Sequence, residues 1–418
     1  MSDPLNSKNA LVTSNTNLTD TDGKSLRILN LAEILAMAGF SVSLVVSKCN
    51  SSKARKFSVI ETQSNLRNTL RESMQKRVIG FFGQMVALFS FYAKLIFQDK
   101  KFDIVVTTLY GAEINSLFAC VFSKIRRVPF VYDYDDPSPE IRMLFYGISK
   151  NDPRVRLSTF TRDVLVRNSA LILAASNTIR SQILKSSGSL KRISNVHILY
   201  NTLRTSEIHN MANKENLRKK LGLSQDSFIV CYHGTVPNWY ILTLKNSLLH
   251  CVSTLKNDKR ILFIIVGGGS MVGGMKWETY YKQIFGRLGL SNRIIFTGNV
   301  PRQTALEYLA ASDLSFQPFP PNCVTKHIVP TKMFEAMAFG IPIVCANLPN
   351  YFQILGDSAI FFDGSDYDLA ERIHWCSQHE ETLERVSLNL KKEFVLKYSW
   401  DRNHLFVETL FKNLAATS

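Results

Sequence analysis

The segment PTKMFEAMAFGIPIVCANLPN, residues 330–350, carries the clearest structural signal in this sequence. Pro330 suits the first position of a helix, and the Met, Phe and Ala residues that follow continue a helical pattern as far as Gly340. The apolar run IPIVCA that comes next predicts a short strand buried on both faces. A helix that leads at once into a buried strand is the repeating unit of an α/β protein with a parallel sheet.

The same alternation of helix and strand extends through the whole chain and occurs twice. Short apolar runs rich in Val, Ile and Phe alternate with longer segments of helical period, as in βαβ units. The fold class is therefore α/β, with two Rossmann-like, doubly wound parallel-sheet lobes. The predicted strands are 10–13, 41–46, 103–107, 130–132, 171–174 and 196–200 in the first half, and 228–232, 261–266, 294–297, 314–316, 342–345 and 359–362 in the second, with helices such as 26–38 and 178–185 between them.

A polar segment, residues 201–226, separates the two halves. It is dense in charged residues, which predicts a linker with one short helix rather than an element of the core. We place the domain boundary there, so that residues 1–205 form an N-terminal lobe and residues 206–398 form a C-terminal lobe.

The last part of the chain, residues 399–418, predicts a terminal helix. Leu405, Phe406, Leu410 and Phe411 recur there at helical spacing. This spacing indicates an amphipathic helix that buries these four side chains.

Composition limits the class of protein. The chain has 418 residues, 45% of them hydrophobic, and is long enough for two or three domains. Its seven cysteines include no Cys-x-x-Cys pair, which favours free thiols in a reducing compartment. The start, MSDPLNSKNALVTSN, lacks the pattern of a secretory signal, so we expect a mature cytosolic terminus. The net charge of +16 fits nucleic acid, anionic lipid headgroups or phosphorylated substrates, and charge alone does not choose among them.

Residues 78–93, VIGFFGQMVALFSFYA, form the most hydrophobic segment. It is shorter than the roughly 20 residues of a spanning helix and contains Gln84 and Ser90, so we do not expect it to cross a membrane. Two compatible interpretations remain: a helix packed on the first sheet, or a helix lying on a membrane surface. The second is favoured by the basic sequences KARK at 53–56 and RNTLRESMQKR at 67–77, which precede it.

The start of the helix in 330–350 has the chemistry of an anion site. The free N–H groups and positive dipole end near Thr331 favour a phosphate, and Lys332 adds a full charge at the same place. Glu335 lies on the same helical face, where it can accept hydrogen bonds from sugar or ribose hydroxyls. The alternative is an ordinary solvated pair between Lys332 and Glu335.

This segment resembles the signature of family 4 retaining glycosyltransferases of the GT-B fold, the glycosyl transferases group 1. The similarity continues in VGGGS at 266–270, in LGLSNRIIFTGNVPRQTALEYLAASDLSFQP at 288–318 and in SWDRNHLFVETLFKNL near the end. The first half resembles the family more loosely, in ALVTSNTNLTDTDGKSLRILNLAEILAMAGFSVSLVV, ILAASNTIRSQIL and VHILYN. The resemblance implies two lobes that face a cleft, and a C-terminal helix that crosses back to pack on the N-terminal lobe.

The resemblance also implies a donor site in the second lobe. Lys332 would bind the donor diphosphate with help from Thr331, and Glu335 would bind the nucleotide ribose. The family usually places another glutamate eight positions before Glu335, in contact with the transferred sugar. Here that position is His327, which is therefore a catalytic candidate together with Lys332, although it also fits a simple loop histidine.

Other donor-site positions match in part. Gly234 and Thr235 match the tight turn near the donor, and the backbone at Asn299 and Val300 would hold the base. The arginine and lysine that the family carries after the first strand of this lobe have no clear equivalent in CYHGTVPNWYILTLK. The glycines at 267–269 are a weak nucleotide signal, and we interpret them as a turn that lets a helix approach the sheet.

The first half offers acceptor-side candidates. Asp133, Asp135 and Asp136 follow a buried strand, where parallel sheets expose functional loops. They suit capping of the next helix or acceptor binding, and the family resemblance makes Asp135 a catalytic candidate that orients or deprotonates the acceptor hydroxyl. Gly23 matches the family's glycine in the loop after the first strand. No metal or other cofactor is expected, because the GT-B fold generally works without one and no further ligand accompanies the aspartates.

The predicted function is transfer of a sugar from a UDP- or GDP-sugar to a glycan or lipid-linked acceptor, with the retention of configuration that the resemblance implies. The expected location is the cytoplasm, at the inner face of an anionic membrane. Three alternatives are a sugar-nucleotide epimerase, a basic nucleic-acid-binding protein and a non-catalytic partner subunit. Nucleic acid is not an expected partner, because no nucleic-acid module or interleaving of aromatic and basic residues is found.

Overall fold

The structure is a computed structural model, and it describes residues 8–19, 23–62, 74–98, 100–108, 113–186, 195–209, 211–236, 238–269, 271–272 and 274–416. The chain divides into two units. The first contains Met1–Asn201 together with His404–Ser418, and the second contains Thr202–Asn403.

The first unit is built on a parallel sheet. Its strands are β1 (Lys8–Thr13), β2 (Asn17–Leu18), β3 (Phe40–Val46), β4 (Lys48–Cys49), β5 (Ser58–Glu61), β6 (Ile104–Thr108), β7 (Phe130–Tyr134), β8 (Leu171–Ala174) and β9 (Val196–Ile198). Within the described residues, seven of them pair in the order β5-β3-β1-β6-β7-β8-β9, and β2 pairs with β4. The central strands β6, β7 and β8 are buried along their whole length, which requires the apolar composition that the sequence has.

Helices cover this sheet. They are α1 (Gly23–Met37), α2 (Met74–Phe97), α3 (Glu113–Arg126), α4 (Ser138–Tyr146), α5 (Pro153–Asn168) and α6 (Asn177–Ser186), with a 3-10 turn at Lys53–Lys56. From α2, Leu88, Tyr92 and Leu95 enter the core of the unit beside Phe122 of α3. The hydrophobic segment therefore packs on its own unit, and among the described residues no helix is long and apolar enough to span a membrane.

The second unit contains a second parallel sheet. Its strands are β10 (Phe228–His233), β11 (Ile261–Val266), β12 (Met271–Val272), β13 (Met275–Lys276), β14 (Ile294–Gly298), β15 (Leu314–Gln317), β16 (Ile343–Ala346) and β17 (Ile360–Phe362). In the described part of the chain, six strands pair in the order β14-β11-β10-β15-β16-β17, and β12 forms a short hairpin with β13. The prediction of two parallel-sheet lobes is confirmed.

The helices of the second unit begin inside the predicted linker. They are α7 (Thr205–His209), α8 (Lys214–Leu221), α9 (Asn238–Thr254), α10 (Trp277–Arg287), α11 (Arg302–Ala310), α12 (Thr331–Phe339), α13 (Pro349–Leu355), α14 (Asp366–Gln378) and α15 (Glu380–Glu393), with 3-10 turns at Ser291–Arg293 and Gly356–Ser358 and a π-helical turn at Phe394–Tyr398. The last helix, α16 (Trp400–Ala416), has most of its residues in the first unit. The prediction of one short linker helix outside the core is wrong. Two helices form, and Leu217 of α8 packs into the core with Ile229 and Ile264, because a single apolar face is enough to anchor a charged helix.

The terminal helix α16 forms as predicted, but with a different buried face. Val407 and Phe411 are fully buried, whereas Leu405 and Phe406 each expose about half of their surface. The expectation that Leu405 and Phe406 are buried is therefore wrong. Positions 407 and 411 share one stripe of the helix, from which 405 and 406 are rotated away.

The seven cysteines, all of them within the described residues, are present as thiols rather than disulfides. Five are buried, whereas Cys49 in the first unit and Cys323 in the second are partly exposed. Burial raises the pKa of the Cys231 thiol to about 12. The inert buried thiols agree with the expectation of unpaired cysteines.

Candidate functional site

The first turn of α12 forms the centre of the candidate site. The helix begins at Thr331, immediately after Pro330, and ends at Gly340, which adopts a left-handed conformation with φ of 67°. A Cβ atom on Gly340 would lie 2.5 Å from the Lys391 side chain, so the close packing of α15 also requires glycine there. The helix thus presents its positive N-terminal end beside Lys332.

Lys332 is a partly buried ammonium group between aromatic rings. Its Nζ lies 4.0 Å from the ring centroid of Tyr232 and 5.1 Å from that of Phe319. Gly234 makes room for it, because a Cβ atom at that position would lie 3.3 Å from Nζ. Burial lowers the pKa of Lys332 to about 7, although the charge of Glu335 acts in the opposite direction. Within the described residues no carboxylate forms an ion pair with this lysine, so the site can accept an external anion.

Glu335, one turn further along α12, is buried, and each of its carboxylate oxygens has a partner. Its Oε2 lies 2.6 Å from Nε2 of His233, and its Oε1 accepts a hydrogen bond of 2.6 Å from Nη1 of Arg302. Burial by itself would raise the pKa of Glu335, but the charge of Arg302 and the hydrogen bonds from both partners hold it well below its usual range. An ionised carboxylate only accepts, so Nε2 of His233 carries a proton.

The ends of strands β10, β11 and β14 meet close to His233 and Glu335. The amide of Gly234, after β10, donates to Val266 O over 2.9 Å, and the amide of Gly267, after β11, donates to Gly298 O over 3.0 Å. A Cβ atom on Gly267 would lie 2.3 Å from Gly234 O, and one on Gly268 would lie 2.9 Å from the Asn299 Cβ. The glycines at 267–269 therefore let neighbouring loops touch, which corrects our interpretation that they let a helix approach the sheet.

The structure brings the predicted donor residues to this end of the second sheet. Asn299 is exposed beside Gly268, and Val300 is half-buried against the core. His327 lies in the turn before α12 and is half-buried. The donor candidates at the carboxyl ends of β10 and β14 and at the start of α12 are Gly234, Thr235, Asn299, Val300, Thr331, Lys332 and Glu335.

Sequence reasoning missed His233 and Arg302. His233 is the last residue of a buried strand, FIVCYH, directly before the Gly234 turn, and a polar residue at that point of a parallel sheet is a functional signal. Arg302 gave no such signal. It lies 33 positions before Glu335 at a helix start, where an arginine is usually solvated.

The acceptor-side candidates lie in the first unit around Arg27. Asp133 has no exposed surface, and its Oδ2 accepts a hydrogen bond of 2.9 Å from Nε of Arg27. It lies within β7, which corrects its predicted place beyond the strand. Arg27 also donates to Leu199 O over 2.7 Å and lies 3.3 Å from Oδ1 of Asp135. Burial alone would lower the pKa of Arg27, but the two carboxylates raise it above its usual range.

Asp136 and Gly23 complete the first-unit candidates. Burial raises the pKa of Asp136 to about 6, with a further contribution from the charge of Asp135. Gly23 is the first residue of α1 rather than a loop residue, and its carbonyl accepts a hydrogen bond of 2.9 Å from the side chain of Asn201. In the described residues, no group of three or more His, Cys, Asp or Glu side chains is arranged to hold a metal ion.

The chain has the GT-B fold, as predicted. Residues 213–393 match the family model described as glycosyl transferases group 1. A curated relative, the putative teichuronic acid biosynthesis glycosyltransferase TuaC of Bacillus subtilis, is 23% identical over 191 residues, or 46% of this chain. The matched part spans 42% of that relative's length.

Solved structures resemble the chain over nearly its whole length. Anabaena Alr3699/HepE in complex with UDP has a TM-score of 0.68 at 16% identity, and the match covers 97% of this chain and 100% of that one. Sucrose-phosphate synthase from Thermosynechococcus elongatus has a TM-score of 0.73 at 15% identity, with 98% and 100% covered. These likenesses show the fold, and the family-model match covers less than half of the chain.

Proposed function

We propose that this protein is a glycosyltransferase that uses a nucleotide diphosphate sugar, UDP- or GDP-linked, as donor. The observation that carries the proposal is the ammonium group of Lys332, which lies at the N-terminus of α12 without a carboxylate partner among the described residues, one turn from the ionised Glu335. A helix start and a cation together form a phosphate site, and a nearby carboxylate suits ribose hydroxyls. The Anabaena structures were solved with UDP and with UDP-glucose, which supports this ligand class.

The proposed chemistry follows from these charges. The bond between the anomeric carbon and the diphosphate oxygen breaks, a bond to the acceptor oxygen forms on the same face, and the proton of the acceptor hydroxyl passes to the base proposed below. Lys332 and the start of α12 stabilise the negative charge on the departing diphosphate, and no metal is proposed. Retention and family 4 membership are proposed from the sequence resemblance. His327 is proposed to lie near the transferred sugar.

Of the three aspartates Asp133, Asp135 and Asp136, we propose that Asp135 and Asp136 contact the acceptor. The carboxylate of Asp133 is fully buried and bonded to Arg27, so its role is to hold that arginine between β7 and Leu199. Asp135 keeps part of its surface exposed and is the proposed residue that orients or deprotonates the acceptor hydroxyl.

A nucleotide panel tests the donor proposal. Calorimetry and thermal shift with UDP, GDP and ADP are expected to find one nucleotide that binds, and Glu335→Ala is expected to weaken its binding by about tenfold or more, because a hydrogen bond to a charged group is lost. The matched control is Glu371→Ala, an exposed glutamate on α14, which is expected to bind as the wild type does.

The outcomes of the panel separate the candidate functions. Release of nucleoside diphosphate from the matching sugar conjugate would distinguish an enzyme from a non-catalytic partner subunit, the alternative that His327 favours. If no nucleotide binds the wild-type protein, the donor proposal is wrong.

We also propose a lipid-linked or glycan acceptor and peripheral binding to the inner face of an anionic membrane. On α2, Phe89 exposes 64% of its surface and Phe97 exposes 87%, with Lys94 between them. On the adjacent α3, Val121 and Ile125 are also exposed. Exposed apolar side chains next to basic ones suit the headgroup layer of anionic lipids. The basic residues 67–73 lie outside the described residues.

Sedimentation with vesicles tests this surface. The wild-type protein is expected to bind vesicles that contain phosphatidylglycerol at low salt, and less at high salt, because salt screens the basic residues. Phe89→Glu with Phe97→Glu is expected to lower the bound fraction several-fold, whereas Leu388→Glu, an equally exposed apolar position on α15, is the control. Failure of the wild type to sediment at low salt would refute the membrane proposal.

A further inference from the structure

The buried cluster of His233, Glu335 and Arg302 has a role beyond charge pairing. We propose that Arg302 is a positioning residue of the nucleotide site, which holds the Glu335 carboxylate ready for the ribose of the donor. This inference rests on the proposed function. The carboxylate held by Arg302 makes the protein selective for ribonucleotides over 2′-deoxyribonucleotides.

The contacts assign each partner to one carboxylate oxygen. His233, at the end of β10, takes Oε2, and Arg302, at the start of α11, takes Oε1, both at 2.6 Å. Because each oxygen has its own partner, from a strand end in one case and a helix start in the other, the orientation of the carboxylate is fixed. An ionised carboxylate has about four lone-pair sites, so two remain for hydroxyl donors.

The surrounding charges keep this carboxylate ionised. The groups that face it are His233 from β10, Arg302 from α11 and Lys332 from α12, and Arg302 in turn lies 3.9 Å from Glu207 of α7. Without Arg302, a carboxylate with 5% of its side chain exposed would lose its nearest full positive charge. Its Oε1 would also lose the contact that fixes the orientation of the carboxylate, so that hydroxyl groups would bind to a less well-ordered acceptor.

The ion pair between Arg302 and Glu335 connects the two segments that are proposed to bind the base and the diphosphate. Val300, proposed beside the base, precedes Arg302 by two positions. Glu335, held by Arg302, is one helical turn from Lys332, which is proposed to bind the diphosphate. The ribose lies between base and diphosphate in the ligand, and the ion pair between Arg302 and Glu335 joins the start of α11, next to Val300, to the first turns of α12, which carry Lys332.

A purely structural ion pair is the competing explanation. It predicts that loss of Arg302 lowers stability and weakens all nucleotides equally. The positioning role predicts a selective loss, because only a ligand with the 2′-hydroxyl uses the carboxylate in full. The ratio of two affinities measured on the same folded protein therefore distinguishes them.

The experiment measures the affinity of UDP, GDP and ADP and of their 2′-deoxy counterparts by calorimetry. For the nucleotide that binds, the wild type is expected to prefer the ribose form by about tenfold, the effect of one hydrogen bond to a charged group. Arg302→Ala is expected to reduce this preference at least about threefold, and Arg302→Lys to restore part of it. Arg372→Ala, an exposed arginine paired with Asp368 on α14, is the control and should keep the wild-type ratio.

A double-variant cycle completes the test. In a Glu335→Ala background, Arg302→Ala is expected to leave the ratio unchanged, because Arg302 acts through Glu335. A ratio that stays at the wild-type value in both Arg302 variants would overturn the inference while leaving nucleotide binding intact. Should Arg302→Ala not fold, Arg302→Lys alone decides. Absence of binding by the wild type would instead overturn the proposed function and this inference with it.

Discussion

Replacement of Lys332 by alanine is expected to weaken the binding of a nucleotide sugar by about 100-fold, because truncating one partner of a buried charge pair costs about 2–5 kcal/mol. The ammonium group is enclosed by Tyr232 and Phe319, so water screens its charge poorly. Isothermal calorimetry with UDP-glucose and GDP-mannose measures the loss. Their diphosphate has no ionisation near neutral pH, so a change of affinity with pH in that range comes from the protein.

The same lysine predicts how affinity depends on pH. Burial lowers the pKa of Lys332 to about 7 in the free protein, and a bound diphosphate favours the protonated form. Affinity is therefore expected to be constant below about pH 6 and to fall as pH rises above about 7, by up to tenfold per pH unit. Near pH 8, binding should take up about one proton, seen as a heat that changes with the ionisation enthalpy of the buffer.

Lys332→Arg is the matched control for this profile, because an arginine keeps its charge throughout this range. Its affinity should not fall between pH 7 and pH 9. A wild-type affinity that is flat over this range, without proton uptake, would contradict a neutral fraction of Lys332 in the free protein.

Replacement of Asp133 by alanine is expected to destabilise the first unit by about 3–5 kcal/mol, the usual cost of leaving one member of a buried ion pair without its partner. Arg27 would remain enclosed and would lose its hydrogen bonds to Asp133, while Asp135 and the carbonyl of Leu199 stay near its guanidinium. Urea or thermal unfolding, followed by circular dichroism, measures the change.

Two control variants show whether the loss of stability comes from leaving the charge of Arg27 without its partner. Asp163→Ala removes an exposed aspartate paired with Arg162 and is expected to cost less than about 1 kcal/mol. Arg27→Leu combined with Asp133→Leu removes both charges and is expected to be less unstable than Asp133→Ala alone. Equal stability of the wild type and Asp133→Ala would show that Arg27 does not depend on this carboxylate.

The central strands of both sheets could be predicted because burial on both faces leaves little choice of residue. The strands 171–174 and 261–266 were predicted with the bounds that the structure has. The edge strand Ser58–Glu61 was missed, because its partly exposed residues lack a continuous apolar run. The buried face of α16 was also misjudged, since spacing identifies a helix but not the surface against which it packs.

The candidate site was predictable only where one segment contains it. Thr331, Lys332 and Glu335 lie on one helix, so their spacing places them together. His233 and Arg302 reach the same carboxylate from distant parts of the chain, and their meeting depends on how β10 and α11 are arranged around α12. Such long-range pairs are tertiary information that local periodicity does not carry.

The distribution of the thiols has a practical consequence. Cys49 and Cys323 are the partly exposed cysteines, and one belongs to each unit, whereas the other five are buried. Maleimide dyes react with thiols that solvent can reach. A pair of such dyes should therefore label these two positions before the buried cysteines. The natural sequence therefore offers a ready pair of attachment points for fluorescence energy transfer, with which any movement between the units can be followed in single molecules as nucleotide is added.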